Sequence, residues 1–201
     1  MELAELRPGL WRWTAPHPGA ETDPEPEGPA DWPPDVGSVA YEARDAFVLV
    51  DPLLPREHEP FLAEMDARIR RHGRRVAILT TIRFHRRSRD ELAVRYGAST
   101  SRARAGLPEG VRVIPIPRAG EFVVWLPDVR ALIPGDRLLG APGGLRMCPA
   151  SWLAYLRNGM TLDGLREALR PLLELPVELV LVSHGDPVLE GGREAIARAL
   201  D

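Results

Sequence analysis

Apolar positions along this chain form short runs typical of strands, separated by segments with helical spacing. In the first half, such runs predict strands at 10–14, 36–43, 46–50 and 76–79. Apolar residues three and four positions apart predict helices at 55–71 and 90–96. Gly73 and Gly97 follow these helices and are expected to end them, because glycine readily adopts the left-handed conformation of a helix C-cap.

The second half continues the mixture of strands and helices. Strands are predicted at 111–114, 122–126, 131–133 and 179–182. Helices are predicted at 151–157, 163–173 and 192–200. Thr161 is the expected N-cap of the middle helix. The Gly/Pro-rich segment 141–148 is predicted to be a loop. The pattern alone supports a fold that is either α+β or α/β.

Composition adds the domain organisation. The chain has 201 residues, of which 44% are hydrophobic and 27% charged, as in ordinary soluble globular proteins. This length suits one compact domain, 1–201, with a substantial core. A stretch at about 16–35 is rich in Pro, Glu, Asp and Gly and is predicted to be a loop or mobile flap.

Charge and hydropathy exclude several classes of function. The net charge of −3 offers no broad basic field, so we expect no nucleic-acid partner. No apolar stretch approaches the roughly 18 residues of a membrane span, so we expect no membrane partner. The N-terminus has no basic segment followed by an apolar one, which predicts a cytoplasmic protein without a signal peptide. All 26 basic residues are arginine, so lysine chemistry is excluded.

Residues of the types that bind ligands or take part in catalysis lie where the predicted strands end. Asp51 follows the strand at 46–50, and a polar loop at 80–86 follows the next strand. Asp136 comes after Gly135, and His184 comes after Ser183 at the end of the last strand. Side chains at strand ends leave the sheet and face an open crevice, where α/β proteins place ligand-binding residues.

This order of an early Asp, a polar loop, a Gly-Asp and a late Ser-His resembles the metallo-β-lactamase fold superfamily. The resemblance extends over about 10–200. It implies an α+β protein with an αββα sandwich, in which two mixed β-sheets are flanked by helices. It also implies a metal site at the strand ends, in a family whose members hold up to two zinc ions.

The metal-binding loop departs from the family, which has His-x-His-x-Asp-His there. The matching residues of this chain are Thr81, Arg83, His85 and Arg86, and a shift of one residue would set His85 against the last His. Thr is a poor zinc ligand and Arg is not one at neutral pH. The segment 116–121, where the family has its next ligand, contains no histidine. A di-zinc centre is therefore not expected.

Three residues of ligand type remain at matching positions: His85, Asp136 and His184. Two histidines and a carboxylate can hold one divalent ion such as zinc, iron or manganese with open positions. Alternatively, the three persist as a hydrogen-bond network and no metal is bound. The resemblance assigns Asp51 a supporting role for the metal loop, and an Asp in a turn before Pro52 is the other reading.

The arginines of this loop allow three interpretations. Without metal ions, Asp136 and Asp51 need a counter-charge, and Arg83 or Arg86 is predicted to donate to one of them. Alternatively, Arg83, Arg86, Arg87 and Arg89 form a solvated loop and helix start. A third interpretation is an arginine-lined pocket that binds an anionic ligand.

The remaining candidates are interpreted as structural. Cys148 is the single cysteine, and we expect it to be buried and inert. The Trp residues near the acidic loop either line a groove or pack in the core, and the latter is preferred; they are Trp11, Trp13 and Trp32. Three further histidines are predicted on the surface: His17, His58 and His72.

The sequence therefore predicts a metallo-β-lactamase-fold protein with a degraded metal site. It is not expected to be a di-zinc hydrolase or to hydrolyse β-lactams, thioesters or phosphodiesters. The preferred function is binding of a small, anionic molecule. The alternatives are a single-metal hydrolase using His85, Asp136 and His184, and a partner-binding module on the same scaffold. Whether the protein is an enzyme, and its oligomeric state, stay open.

Overall fold

Two mixed β-sheets form the centre of the protein. The computed structural model describes residues 3–21, 23–25, 27–28, 30–100 and 106–201. Six strands form the first sheet in chain order: β1 (Ala4–Arg7), β2 (Leu10–Pro16), β3 (Asp35–Glu42), β4 (Ala46–Val50), β5 (Arg75–Leu79) and β6 (Ser99–Thr100). The pairs from β1 to β4 are antiparallel, whereas β4, β5 and β6 are parallel.

The second sheet is smaller and also mixed. Its antiparallel part consists of β7 (Arg112–Ile116), β8 (Glu121–Leu126) and β9 (Ala131–Ile133). A separate hairpin follows, made of β10 (Leu138–Ala141) and β11 (Gly144–Met147). The last strand, β12 (Leu179–Val180), pairs in parallel with β9. The order across this sheet is therefore β12-β9-β8-β7.

Helices cover the outer face of each sheet. The α-helices are α1 (His58–His72), α2 (Arg89–Tyr96), α3 (Leu162–Leu169) and α4 (Gly192–Leu200). Shorter 3-10 helices span Arg83–Arg86, Pro127–Val129, Ala150–Leu156 and Arg170–Glu174. The first two α-helices pack on the six-stranded sheet, and the last two pack on the four-stranded sheet. The predicted αββα sandwich of two mixed sheets is confirmed.

The alternation of side chains along a strand explains the four layers. In β4, Phe47 and Leu49 face one way and pack with Met65 of α1. Val48 and Val50 face the other way and pack against the second sheet in the central core. All five residues of this strand are buried, which is why it reads as a continuous apolar run rather than an alternating one.

Several local predictions are confirmed. Gly73 and Gly97 end α1 and α2 in the left-handed conformation, with φ of 69° and 57°. The Thr161 side chain caps α3 by accepting a hydrogen bond from the Gly164 N–H. Cys148 is 2% exposed, as expected for a buried cysteine.

Other local predictions were wrong. The segment 141–148 is mostly the hairpin β10–β11 rather than a loop, because its Pro142-Gly143 turn occupies only two residues. The helix predicted at 163–173 ends as an α-helix at Leu169 and continues as a 3-10 helix, since Pro171 has no N–H to donate. Within the predicted loop at 16–35, residues 22, 26 and 29 lie outside the described residues.

Backbone hydrogen bonds join the two sheets at one end. The Gly37 N–H of β3 donates to the Ser183 carbonyl over 2.7 Å, and the Phe122 N–H of β8 donates to the Thr81 carbonyl over 2.8 Å. These bonds bring the ends of four strands together and set the positions of the polar residues that follow them.

Among the described helices, none combines the length and the hydrophobicity needed to cross a bilayer.

Candidate metal centre

Three residues of ligand type converge where the two sheets are joined. His85 lies in the 3-10 helix that follows β5, Asp136 lies just after β9, and His184 lies beyond β12. One potential ligand atom from each residue lies within 4.8 Å of the other two. The resemblance led us to expect this convergence.

The contacts inside this trio leave donor atoms available. The Nε2 atoms of His85 and His184 lie 2.9 and 3.3 Å from the same Asp136 oxygen, Oδ1. That oxygen is nevertheless buried without a hydrogen bond of acceptable geometry among the described residues, as is His184 Nδ1. Buried polar atoms rarely stay without partners, so atoms that approach one another without bonding well fit a shared metal ion.

Asp51 orients the first histidine. Its carboxylate accepts the Thr81 N–H over 2.8 Å and also the Thr81 hydroxyl. The same carboxylate lies 2.9 Å from His85 Nδ1, which turns His85 Nε2 toward Asp136. A carboxylate that holds the outer nitrogen of a histidine is the usual support of a metal-ligating histidine. The supporting role that the resemblance assigned to Asp51 therefore agrees with its contacts.

The electrostatics of the trio follow from burial and close charges. Burial opposes protonation of His85, but the carboxylates of Asp136 and Asp51 outweigh it and raise the pKa of His85 to about 9. Burial also disfavours the charge of Asp136, but the adjacent His85 and His184 hold its pKa well below the usual value. Burial dominates for His184 and lowers its pKa. In the metal-free protein, His85 is thus the cation of this cluster.

The predicted role of Arg83 or Arg86 was wrong. Arg86 is exposed and forms a surface ion pair with Asp90 over 2.7 Å. Arg83 is also exposed and lies over the rings of Phe84 and Tyr155. Neither donates to Asp136 or Asp51, because the turn of the 3-10 helix directs only His85 inward.

The arginine of this loop that turns inward is Arg87, which is half-buried and which the sequence analysis did not select. It donates to the carbonyl oxygens of Gly37 and Asp51 over 2.8 Å each, and to the Ser183 hydroxyl. Its backbone has φ of 39°, which is unusual for a residue with a side chain. Arg87 therefore ties together the ends of three strands and brings a positive charge near Asp51.

A second residue missed from the sequence is Glu121, the first residue of β8. Its carboxylate accepts the N–H groups of Gly135, Asp136 and Arg137 over 2.7–3.0 Å. Burial raises the pKa of Glu121 to about 7, against the opposing effect of the Arg137 charge. An acidic residue between a Gly turn and the apolar run 122–126 was the available signal, and it occurs where the family was expected to place a histidine.

The trio forms the floor of a cavity of about 760 Å³. Its walls are largely aromatic and include Trp32, Phe84, Trp152 and Tyr155. Trp32 lies 5.1 Å from the His184 ring, so it packs over a ligand candidate, whereas Trp11 and Trp13 pack in the core as preferred. His17 also lines the cavity, which corrects its predicted surface position.

Comparison with known proteins supports the fold. A scan against protein-family models found no match, and a search of curated proteins found none either. A search of solved structures found a metallo-β-lactamase from Erythrobacter litoralis, with a TM-score of 0.62 and 17% identity over 98% of this chain and 89% of that one. A metallo-β-lactamase family protein from Thermus thermophilus gives a TM-score of 0.54 and 17% identity, over 96% and 79% of the two chains.

The similarity extends to a protein with a different description. The flavodiiron protein from Giardia intestinalis gives a TM-score of 0.55 and 16% identity. The alignment covers 100% of this chain and 58% of the flavodiiron chain. Together with the αββα layers and the strand-end trio, these likenesses show that the chain has the metallo-β-lactamase fold.

Proposed function

We propose that this protein holds one divalent metal ion on His85, Asp136 and His184 and acts as a single-metal hydrolase on a small molecule. The observation that carries the proposal is the buried Asp136 Oδ1, which two histidine Nε2 atoms approach without forming a satisfactory hydrogen bond. Three protein ligands leave coordination positions open toward the cavity, as catalytic metal sites require. A bound ion there would supply Lewis-acid chemistry.

The residues around the trio support one ion rather than two. The resemblance sets Thr81, Arg83 and Arg86 against histidines of the family, and the segment 116–121 offers Glu121 but no histidine. Thr81 is bonded to Asp51, Arg83 and Arg86 are exposed, and Glu121 is occupied by three backbone N–H groups. None of these side chains is available as a ligand in this arrangement, so the proposal does not include a di-zinc centre.

The second candidate function is binding of a small molecule without a metal. It is favoured by the charge-complementary contacts of His85, which lies 2.9 Å from both Asp51 and Asp136. A protonated His85 between two carboxylates neutralises part of their negative charge without a metal ion. Arg83 and Arg86 lie outside the cavity lining, so an anion bound deep inside would have to rely on Arg87 or Arg137, which both line it.

Metal content distinguishes the two candidates. The chelator-treated protein is reloaded separately with zinc, iron(II) or manganese, and the bound metal is counted by elemental analysis. We expect about one ion per chain in the wild type and almost none in Asp136→Asn or His184→Ala. The control is His72→Ala, since His72 lies far from the trio and bonds the Ala43 carbonyl. No bound metal would favour the second candidate, and two ions per chain would contradict both.

Activity is tested separately with a panel of small esters and amides. Chelator-sensitive hydrolysis that is lost in His184→Ala would support the hydrolase. One bound ion without hydrolysis of any ester or amide would leave a metal-binding protein and contradict the enzymatic part of the proposal.

A further inference from the structure

An arginine lies against two aromatic rings of the cavity wall, just outside the lining itself. The Arg83 guanidinium carbon lies 4.6 Å from the ring centre of Phe84 and 4.9 Å from that of Tyr155. The two rings pack edge to face with their centres 4.9 Å apart. Phe84 and Tyr155 both line the cavity, and Phe84 is 51% exposed. We call Arg83, Phe84 and Tyr155 the rim.

Within the part of the chain that the structure describes, the charge of Arg83 has no partner, unlike those of its neighbours. Arg86 and Arg89 share the Asp90 carboxylate, and Arg87 donates to two carbonyls and a hydroxyl. Among the described residues, Arg83 makes neither an ion pair nor a hydrogen bond. The two cation–π contacts hold the guanidinium in place without using its N–H donors.

The cavity behind the rim suits an apolar molecule. Its volume of about 760 Å³ is within the range of small-molecule sites. Trp32, Trp152 and the two rim rings provide aromatic wall. Arg87 and Arg137 also line the cavity, but both already donate several hydrogen bonds to groups of the protein. A ligand that fills this space therefore has an apolar body, and Arg83 beside the aromatic rings is the arginine whose donors make no hydrogen bond to the described residues.

We infer that Arg83 binds the carboxylate of a small molecule whose aromatic or other apolar body occupies the cavity. A carboxylate matches the forked donors of a guanidinium and can accept two hydrogen bonds from it. The inference rests on the proposed function in that it names the class of compound that reaches the same metal-site candidate. The carboxylate would lie at the rim, and a different group of the molecule would face the trio.

The test compares carboxylates with their neutral amides in the metal-free protein. The probes are phenylacetate, 4-phenylbutyrate and 6-phenylhexanoate and the corresponding amides, because the chain length that spans the cavity is not fixed in advance. Binding is measured by isothermal titration calorimetry at low salt. We expect at least one carboxylate to bind the wild type about tenfold more tightly than its amide.

Variants assign that preference to the rim. Arg83→Met should remove the carboxylate preference and leave binding of the amide unchanged. Arg86→Met removes the same charge from the same 3-10 helix, but Arg86 already pairs with Asp90, so the preference should remain. Arg83→Lys should restore only part of it, because an ammonium lacks the planar fork.

Several outcomes would overturn the inference. These are equal binding of carboxylate and amide, equal losses in Arg83→Met and Arg86→Met, and no binding of any probe by the wild type. The failure is separable from that of the proposed function, because the titrations use metal-free protein. One bound metal without a carboxylate preference would reject the rim alone, and the opposite result would reject the metal site alone.

Discussion

Two buried carboxylates, one from each sheet, hold the loops that carry the metal-ligand candidates. Asp51 directly follows β4 of the six-stranded sheet and contacts the side chains of Thr81 and His85. Glu121 begins a strand of the four-stranded sheet, and its hydrogen bonds from described residues all come from backbone N–H groups, those of the loop that contains Asp136. Both residues are only 3% exposed, yet Asp51 contacts the side chains of the site whereas Glu121 is bonded to the backbone.

This difference assigns Asp51 to orienting a ligand candidate and Glu121 to stabilising the fold. Asp51 contacts Nδ1 of His85, whose other nitrogen faces Asp136, so the charge of Asp51 affects the orientation and basicity of a ligand candidate. Glu121 fixes the backbone around Asp136 and lies 3.9 Å from Arg137, whose side chain is fully buried. Loss of Glu121 should therefore damage the fold first, and loss of Asp51 should damage the site first.

The largest effect is expected for Glu121→Ala. This change leaves the buried Arg137 charge uncompensated and three buried N–H groups without an acceptor. The free energy of unfolding should fall by about 3–5 kcal/mol, measured by urea denaturation. The control is Glu167→Ala, which removes an exposed pair with Arg170 and should cost less than about 1 kcal/mol. Similar losses in both variants would show that the Glu121 cluster does not support the fold.

The next largest effect concerns pH in the metal-free protein. The folded state raises the pKa of His85 from 6.5 to about 9, because the carboxylates of Asp136 and Asp51 outweigh the effect of burial. A raised histidine pKa stabilises the fold fully below pH 6.5, and the gain is lost as the pH rises through 9. This contribution is on the order of 3 kcal/mol.

Urea unfolding at pH 6, 7.5 and 9.5 measures the loss, and His85→Gln provides the comparison. Other groups titrate in both proteins, so the difference between the two pH profiles isolates His85. Parallel profiles would mean that Asp51 and Asp136 do not hold a protonated imidazole.

The sequence predicted the layers and the trio for identifiable reasons. The apolar runs, such as 46–50, record burial on both faces of a strand, and His85, Asp136 and His184 stand at strand ends in the order that the family shows. The hairpin β10–β11 was missed because the Gly and Pro content of its turn also describes a loop. Composition reports the turn but not the pairing on either side of it.

The arginines show what one sequence cannot resolve. Residues 83–89 contain four arginines, and their order gives no signal of which one turns inward. The direction depends on the 3-10 helix and on the positive φ of Arg87, which aims that side chain under β3. Glu121 was missed for a related reason: its partners are backbone groups of residues 135–137, and no side-chain motif records them.

A third prediction tests the sheet junction that lies beside Asp51. Arg87→Met removes charged donors from the carbonyls of Gly37 and Asp51 and from the Ser183 hydroxyl. We expect the free energy of unfolding to fall by about 2–3 kcal/mol, since hydrogen bonds to a charged group contribute more to stability than those between neutral groups. Arg86→Met, the matched surface change, should leave stability unchanged within error. An equally stable Arg87→Met protein would show that the strand ends are held by their backbone bonds alone.

The smallest expected effect is on the site rather than the fold, and it concerns Asp51→Asn. The amide oxygen of Asn can still accept the Thr81 N–H, so the loop after β5 should keep its position. The variant loses the negative charge beside His85 Nδ1, and this weakens both the orientation and the basicity of the imidazole. If the trio holds a metal ion as proposed, its affinity should fall about 10–100-fold, measured by competition with a chelating dye. Glu121→Gln is the matched change in the other sheet, and it contacts neither histidine. A loss of affinity in Glu121→Gln as large as that in Asp51→Asn would mean that backbone position, rather than the charge beside His85, controls the site, and the contrast between the two carboxylates would fail.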